Sequence, residues 1–209
     1  MAEFSSTEQL RQQFVQTYIA PMVTDSRVVT AFQTIPREIF VPAEFQSAAY
    51  QDRALPIGAG QTISQPSLVA QMTELLQLTG TETVLEIGTG SGYQAAILSH
   101  LAKQVYSIER LDVLAQQARE RFKQLNITNV VVIVGDGAKG YQSKAPFDAI
   151  IITATTPQVP QPLIEQLKEN GRLVVPLGNR LMAGTKLNGA LHLTNHGLVE
   201  FVPLITSHQ

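Results

Sequence analysis

The rhythm of apolar positions changes twice along the chain. Over the first thirty residues polar and apolar groups alternate at helical spacing, with Leu10, Phe14 and Ile19 as the expected core contacts. Pro21 ends that helix, and 26–32 reads as a second short one. The stretch 34–65 then carries Pro36, Pro42, Pro56, Gly58 and Gly60 and few helical signals. So long an irregular connection is uncommon in a compact domain and usually serves function. From Pro66 the positions Leu68, Val69, Met72, Leu75 and Leu76 recur every three or four residues, which predicts a helix over 66–78 with proline in its first turn.

Beyond Gly80 short apolar runs alternate with amphipathic segments. Strands are expected at 83–87, 104–108, 130–134, 149–153 and 172–176, and helices at 93–102, 111–125 and 160–168. The strands are near-continuous runs of Val, Ile and Leu, as in a parallel sheet covered on both faces. Their alternation with helices defines an α/β chain with a doubly wound, Rossmann-like sheet. The tail departs from that pattern. Residues 191–193 and 199–202 read as an antiparallel strand pair around Asn195-His196-Gly197, added to the sheet edge. With no internal repeat or linker, 1–209 reads as a single domain: an N-terminal extension over 1–80, a core over 81–178 and C-terminal edge strands over 179–209.

Composition narrows the chemistry. The chain has 209 residues, 44% of them hydrophobic and 15% charged, enough to build a core without staples. Fifteen Lys and Arg against seventeen Asp and Glu give a net charge of -2, so there is no basic excess to wrap a phosphate backbone, and no nucleic-acid partner is expected. Cysteine is absent, which excludes disulfides, thiolate metal sites and cysteine nucleophiles and suits a reducing, cytoplasmic setting. His100, His192, His196 and His208 lack ligand spacing, so no metal is expected. Residues 1–13 are polar and mixed in charge, unlike a signal peptide, and no apolar run approaches the roughly 18 residues of a membrane span.

The first strand of the alternating region runs into Glu86-Ile87-Gly88-Thr89-Gly90-Ser91-Gly92-Tyr93. Strand, glycines and then helix let backbone approach a ligand closely. Tyr93 occupies the place where the dinucleotide fingerprint needs a small residue, and no phosphate-loop lysine follows, which argues against NAD, FAD and nucleoside triphosphates. Glu109 ends the next strand near the spacing of an acidic residue that accepts ribose hydroxyls. Asp136-Gly137 ends the third, placed to meet an adenine edge. Three carboxylates at strand ends, Glu86, Glu109 and Asp136, suit a cationic nucleoside such as S-adenosyl-L-methionine. Taken singly, each glycine also reads as turn punctuation and each carboxylate as a helix cap.

The segment Ala54-Leu55-Pro56-Ile57-Gly58-Ala59-Gly60-Gln61-Thr62-Ile63-Ser64-Gln65-Pro66 is more specific. Together with 84–93, Gly135-Asp136-Gly137, Pro36-Arg37-Glu38-Ile39-Phe40-Val41-Pro42, 145–151 and Phe201-Val202-Pro203-Leu204, it closely resembles the bacterial protein-L-isoaspartate O-methyltransferases, over roughly 34–204. The resemblance implies methyl transfer from S-adenosyl-L-methionine to the α-carboxylate of L-isoaspartyl residues in damaged proteins, the first step of repair to aspartate. It implies Ser64 as the active-site residue and 61–64 as a flap over cofactor and substrate. The cofactor contacts it points to are Gln61, Thr62, Ile63, Glu86, Gly88, Gly90, Gly92, Glu109, Asp136 and Gly137. The partners are then isoaspartyl-containing proteins and peptides, and the protein is expected to be a monomer.

A carboxylate is already ionised near neutral pH and needs no base to attack a sulfonium methyl group. The work left to the protein is alignment and exclusion of water. That fits a chain with no evident Ser-His-Asp triad or carboxylate pair. Ser64 has a second reading as an N-cap of the helix that Pro66 opens. The alternative activity is methylation of a small carboxylate or hydroxyl by the same cofactor, which leaves 61–66 unexplained. Thr153-Ala154-Thr155-Thr156-Pro157, after the fourth strand, lacks the acidic or amide residue and Pro-Pro-aromatic run of many base methyltransferases. The segment 179–200 is shorter and less charged than is usual in the family.

Overall fold

In the computed structural model of the chain, residues 6–205 are described. The readings that rest on residues 1–5 and on His208 lie outside them. α1 (Ser6–Phe14) continues into a wider π-turn over Val15–Ile19, closed by the Ala20 N–H donating to Val15 O at 2.9 Å. Phe14, Val15 and Ile19 are buried as expected. Leu10 is not: it is 55% exposed, because α1 meets the core only at its last residue, Phe14. α2 (Ser26–Thr34) follows, N-capped by the Asp25 carboxylate, which accepts from the Arg27 N–H.

The stretch read as irregular is built. It holds 3₁₀ turns at Arg37–Phe40 and Ala43–Ala48, then the antiparallel hairpin β1 (Leu55–Gly58) and β2 (Gln61–Ile63). Short strands with proline and three positive-φ residues at the tip, Gly58, Ala59 and Gly60, leave little periodicity to read. α3 (Pro66–Leu75) is shorter than expected, yet Leu76 and Leu78 beyond its end are buried.

The seven-stranded sheet runs β5-β4-β3-β6-β7-β8-β9. β3 (Thr83–Ile87), β4 (Gln104–Glu109), β5 (Val130–Val134), β6 (Phe147–Ile152) and β7 (Leu167–Leu177) pair in parallel. α4 (Tyr93–Ser99), α5 (Asp112–Gln124) and α6 (Gln161–Gln166) connect them. Strand alternation sorts the core. Val84, Ala149, Ile151 and Val174 face the cluster that includes α2, α3, α4 and α5, while Leu85, Ile150, Ile152 and Leu173 face Leu163 of α6. Phe14, Ile19 and Phe32 of the first eighty residues sit in the same cluster as Leu98 and Phe122.

The C-terminal strand pair is present but displaced from its expected place. β8 (Arg180–Leu187) and β9 (Ala190–Leu198) form the antiparallel edge, joined at Asn188-Gly189. Those two residues have φ of 52 and 79°, as a two-residue hairpin turn requires. Asn195-His196-Gly197 lies within β9, and 199–202 leaves the sheet. Among the described residues no helix is long and apolar enough to cross a membrane.

Candidate active site

The chain builds β3, β4 and β5 outward, then returns to lay β6 against the other side of β3. Crossovers diverge there and open a crevice beyond the strand C-termini, where ligands bind in doubly wound sheets. The glycine loop after β3 lies in that crevice. Gly88 has φ of +97°, and a Cβ built on it would lie 2.5 Å from Thr153 Oγ1 at the end of β6. Thr153 explains the tightness: its hydroxyl donates to Ile87 O at 3.0 Å and Gly88 O at 2.7 Å, tying the two strand ends together. A Cβ on Gly137 would meet Ile87 Cγ2 at 2.3 Å. Only glycine lets these two backbones close the cavity floor.

Glu109, 6% exposed, accepts from the Gly90 N–H (2.8 Å, Oε2) and the Leu111 N–H (2.9 Å, Oε1). Each oxygen keeps acceptor capacity toward the cavity it lines. Gln61, Thr62, Ile63 and Ser64 form the facing wall, and Gly88, Gly90 and Gly137 line the same cavity, of about 780 Å³ counting its open mouth. Residues 202–205 cover a further side. They are strapped down by the Thr155 N–H donating to Val202 O and the Leu204 N–H donating to Thr155 O, each at 2.8 Å.

Three expected contacts stand elsewhere. Gly92 is the left-handed N-cap of α4 and does not line the cavity. The Asp136 carboxylate accepts from the Ala138 N–H at 3.0 Å and caps a short 3₁₀ turn, leaving Gly137 at the wall. Glu86 is fully buried beneath the loop, where the Ser107 hydroxyl donates to its Oε2 and Oε1 has no partner. Burial, reinforced by the nearby Glu109 charge and opposed by the Ser107 hydrogen bond, pushes its pKa up to about 8. Glu86 is therefore mostly protonated at neutral pH and adds no full charge beside a ligand. Because the folded state holds this proton more tightly than the unfolded chain, the associated stability is complete below about pH 4.5 and declines as pH rises toward 8. Glu86→Gln is expected to flatten the melting temperature between pH 5 and 8 and to raise it by a few degrees at pH 8. Thermal melts of both proteins across that range check it.

A second groove meets the cavity along a seam. Thr62, Ser64, Thr153 and Val202 line both, and the groove runs on past Met22, Leu68, Leu198 and Phe201. Ser64 is not the helix cap. The N-cap of α3 is Gln65, and one first-turn donor is met from a distance by Asp52, whose Oδ1 accepts from the Ser67 N–H at 2.8 Å. Asp52 Oδ2 also accepts from Gln65 Nε2 at 2.9 Å. Sequence reasoning gave no place at the site to Thr153, Asp52 or the covering tail. Position at the C-terminal end of β6 was the available signal for Thr153; Asp52 carried none.

A parallel doubly wound sheet with a glycine-floored crevice and an acidic acceptor at the end of its second parallel strand defines a nucleoside-binding α/β protein. Residues 8–209 match the family model described as protein-L-isoaspartate(D-aspartate) O-methyltransferase. A protein-L-isoaspartate O-methyltransferase of Methanoculleus marisnigri is 50% identical over 200 residues, covering 93% of this chain and 91% of its own. One from Yersinia pestis is 51% identical over 200 residues, covering 94% and 92%. A solved protein-L-isoaspartate O-methyltransferase superposes with a TM-score of 0.83 at 32% identity, over 92% of this chain and 65% of that one. A Plasmodium falciparum structure ascribed to the same family, in complex with S-adenosyl-L-homocysteine, gives 0.79 at 23% identity over 97% and 99% and speaks for the fold. The chain belongs to the protein-L-isoaspartate(D-aspartate) O-methyltransferase family.

Proposed function

We propose that the protein esterifies the α-carboxylate of L-isoaspartyl residues in damaged proteins and peptides, with S-adenosyl-L-methionine as methyl donor. The observation that carries this reading is the seam at Ser64 and Thr153, where the nucleoside-type cavity opens into the peptide-sized groove. The cavity suits the donor: the Gly88 and Gly137 backbones line it where a Cβ would strike Thr153 or Ile87, and Glu109 offers a carboxylate for ribose hydroxyls. When bound, the donor supplies an electrophilic methyl group on a sulfonium.

The remaining work falls to the chain. Gln61, Thr62 and Ile63 wall the donor, with Gly88, Gly90 and Gly137 beneath it. Ser64 donates its hydroxyl hydrogen to one oxygen of the substrate carboxylate and turns a lone pair of that group toward the transfer axis. No base is required, since the nucleophile arrives ionised. The hairpin and residues 202–205 exclude water that would compete or screen. Of the described residues, those before 81 act as wall and flap, 81–178 as the cofactor core and those after 178 as the edge. The setting is cytoplasmic, and the protein acts as a monomer on proteins rather than on nucleic acid.

Repair gives the test. An isoaspartyl peptide incubated with the protein and the methyl donor is expected to yield the normal aspartyl peptide through a succinimide, resolved by reverse-phase chromatography. Without the donor the isoaspartyl peak stays. Failure to convert, with a donor that binds, would overturn the reading.

A further inference from the structure

Arg37 is a fully buried guanidinium with an unusual set of partners. It is 0% exposed, and among the described residues it makes no ion pair. Its Nε and Nη1 have no hydrogen-bond partner. Nη2 donates to two backbone carbonyls, Arg53 O and Ser64 O, each at 3.2 Å. Those carbonyls bracket the β1–β2 hairpin: Arg53 lies two residues before its first strand, and Ser64 directly follows its second. The guanidinium carbon lies 5.5 Å from the centroid of the Tyr93 ring. Tyr93 opens α4 directly after the glycine loop, lines the cofactor cavity and packs edge-on against Phe32 and Phe40.

A guanidinium stays charged in a protein, and burying one without a carboxylate partner is costly. A neutral side chain of similar volume would fill this space more favourably if packing were the only requirement. The contacts show what the charge does here. One nitrogen group holds both ends of the flap, and the rest of the guanidinium lies at the aromatic wall of the cofactor cavity. Asp52 holds the other side of the same segment through Gln65 Nε2 and the Ser67 N–H. Ser64 thus stands between two anchors, its carbonyl fixed by Arg37 and its successors by Asp52. With the carbonyl held, the backbone that sets the Cα–Cβ direction of Ser64 at the seam is held as well.

We infer that Arg37 is a positioning residue for methyl transfer, coupling the flap hairpin to the Tyr93 wall and setting the orientation of Ser64. This rests on the proposed role of Ser64, so the test separates the two. In Arg37→Met, kcat for an isoaspartyl peptide is expected to fall about 30-fold, the scale on which small misplacements act. Calorimetric affinity for S-adenosyl-L-homocysteine stays within about threefold, since Arg37 is not among the cavity-lining residues. In a Ser64→Ala background the same substitution is expected to cost less than about threefold, because residues acting through one another are not additive. Arg37→Lys restores part of kcat, and it carries the same cycle if the methionine variant does not fold.

A folded Arg37 variant with wild-type kcat, assayed well below its melting temperature, overturns the inference. So does a full loss in the Ser64→Ala background, which would leave the Ser64 reading standing. Wild-type turnover by Ser64→Ala alone would instead refute the role of Ser64, and the coupling with it.

Discussion

Gly88→Val is expected to lose S-adenosyl-L-homocysteine affinity by at least about 100-fold, corresponding to about 3 kcal/mol. Two separate strains drive the loop out of the conformation that forms the cavity floor. At φ of +97° a β-branched residue sits where L side chains rarely go, a strain on the order of 1–3 kcal/mol. The new Cβ would also stand 2.5 Å from Thr153 Oγ1, whose hydroxyl holds Ile87 O and Gly88 O. Relief by rotating Thr153 breaks both bonds and releases the loop from β6. The double variant Gly88→Ala with Thr153→Ala removes the clash but not the backbone strain, so it is expected to recover only part of the affinity. Calorimetric titration reads both, and a Gly88→Val protein that binds normally would show that the ligand does not use this floor.

Ser64→Ala is expected to lower kcat about 100-fold, the scale for one donor aimed at a charged oxygen. Donor affinity is expected to hold within about threefold, because the proposed donor contacts lie mainly at the glycine loop and Glu109. The structure removes the main competing explanation for a loss. Ser64 does not cap α3, which is held by Asp52 through the Ser67 N–H, so the substitution leaves that contact in place. Single-turnover methylation beside calorimetry measures both quantities. A loss of affinity that accounts for the whole rate change would assign Ser64 to binding.

The parts of the fold that sequence conveyed are those where one physical signal dominates. β3 is buried almost throughout, and edge strand β5 is an unbroken run of Val and Ile although Val131 and Val134 are exposed, so 83–87 and 130–134 were placed to the residue. The hairpin at 55–63 was missed because its strands of four and three residues are too short to show a period. The edge hairpin was placed one turn signal too late: Asn188-Gly189 and Asn195-His196-Gly197 both read as turns, and only the β8–β9 register distinguishes them. At the site, the glycines at 88, 90 and 137 and Glu109, expected at the strand ends from the sequence, all line the cavity. Glu86 lies buried and Asp136 caps a turn, positions that sequence does not separate from a ligand-facing one, since a carboxylate at a strand end looks the same in all three. Thr153, Asp52 and Arg37 act on backbone atoms of distant residues, and such contacts leave no local pattern.

The most direct measurement offers labelled S-adenosyl-L-methionine with two peptides identical except for an L-isoaspartyl or a normal L-aspartyl residue. Base-labile methyl ester is counted as released methanol. Label on the isoaspartyl peptide alone is the expected result. Equal label on both peptides, or none on either while the donor binds, would contradict isoaspartyl-specific methyl esterification by this protein.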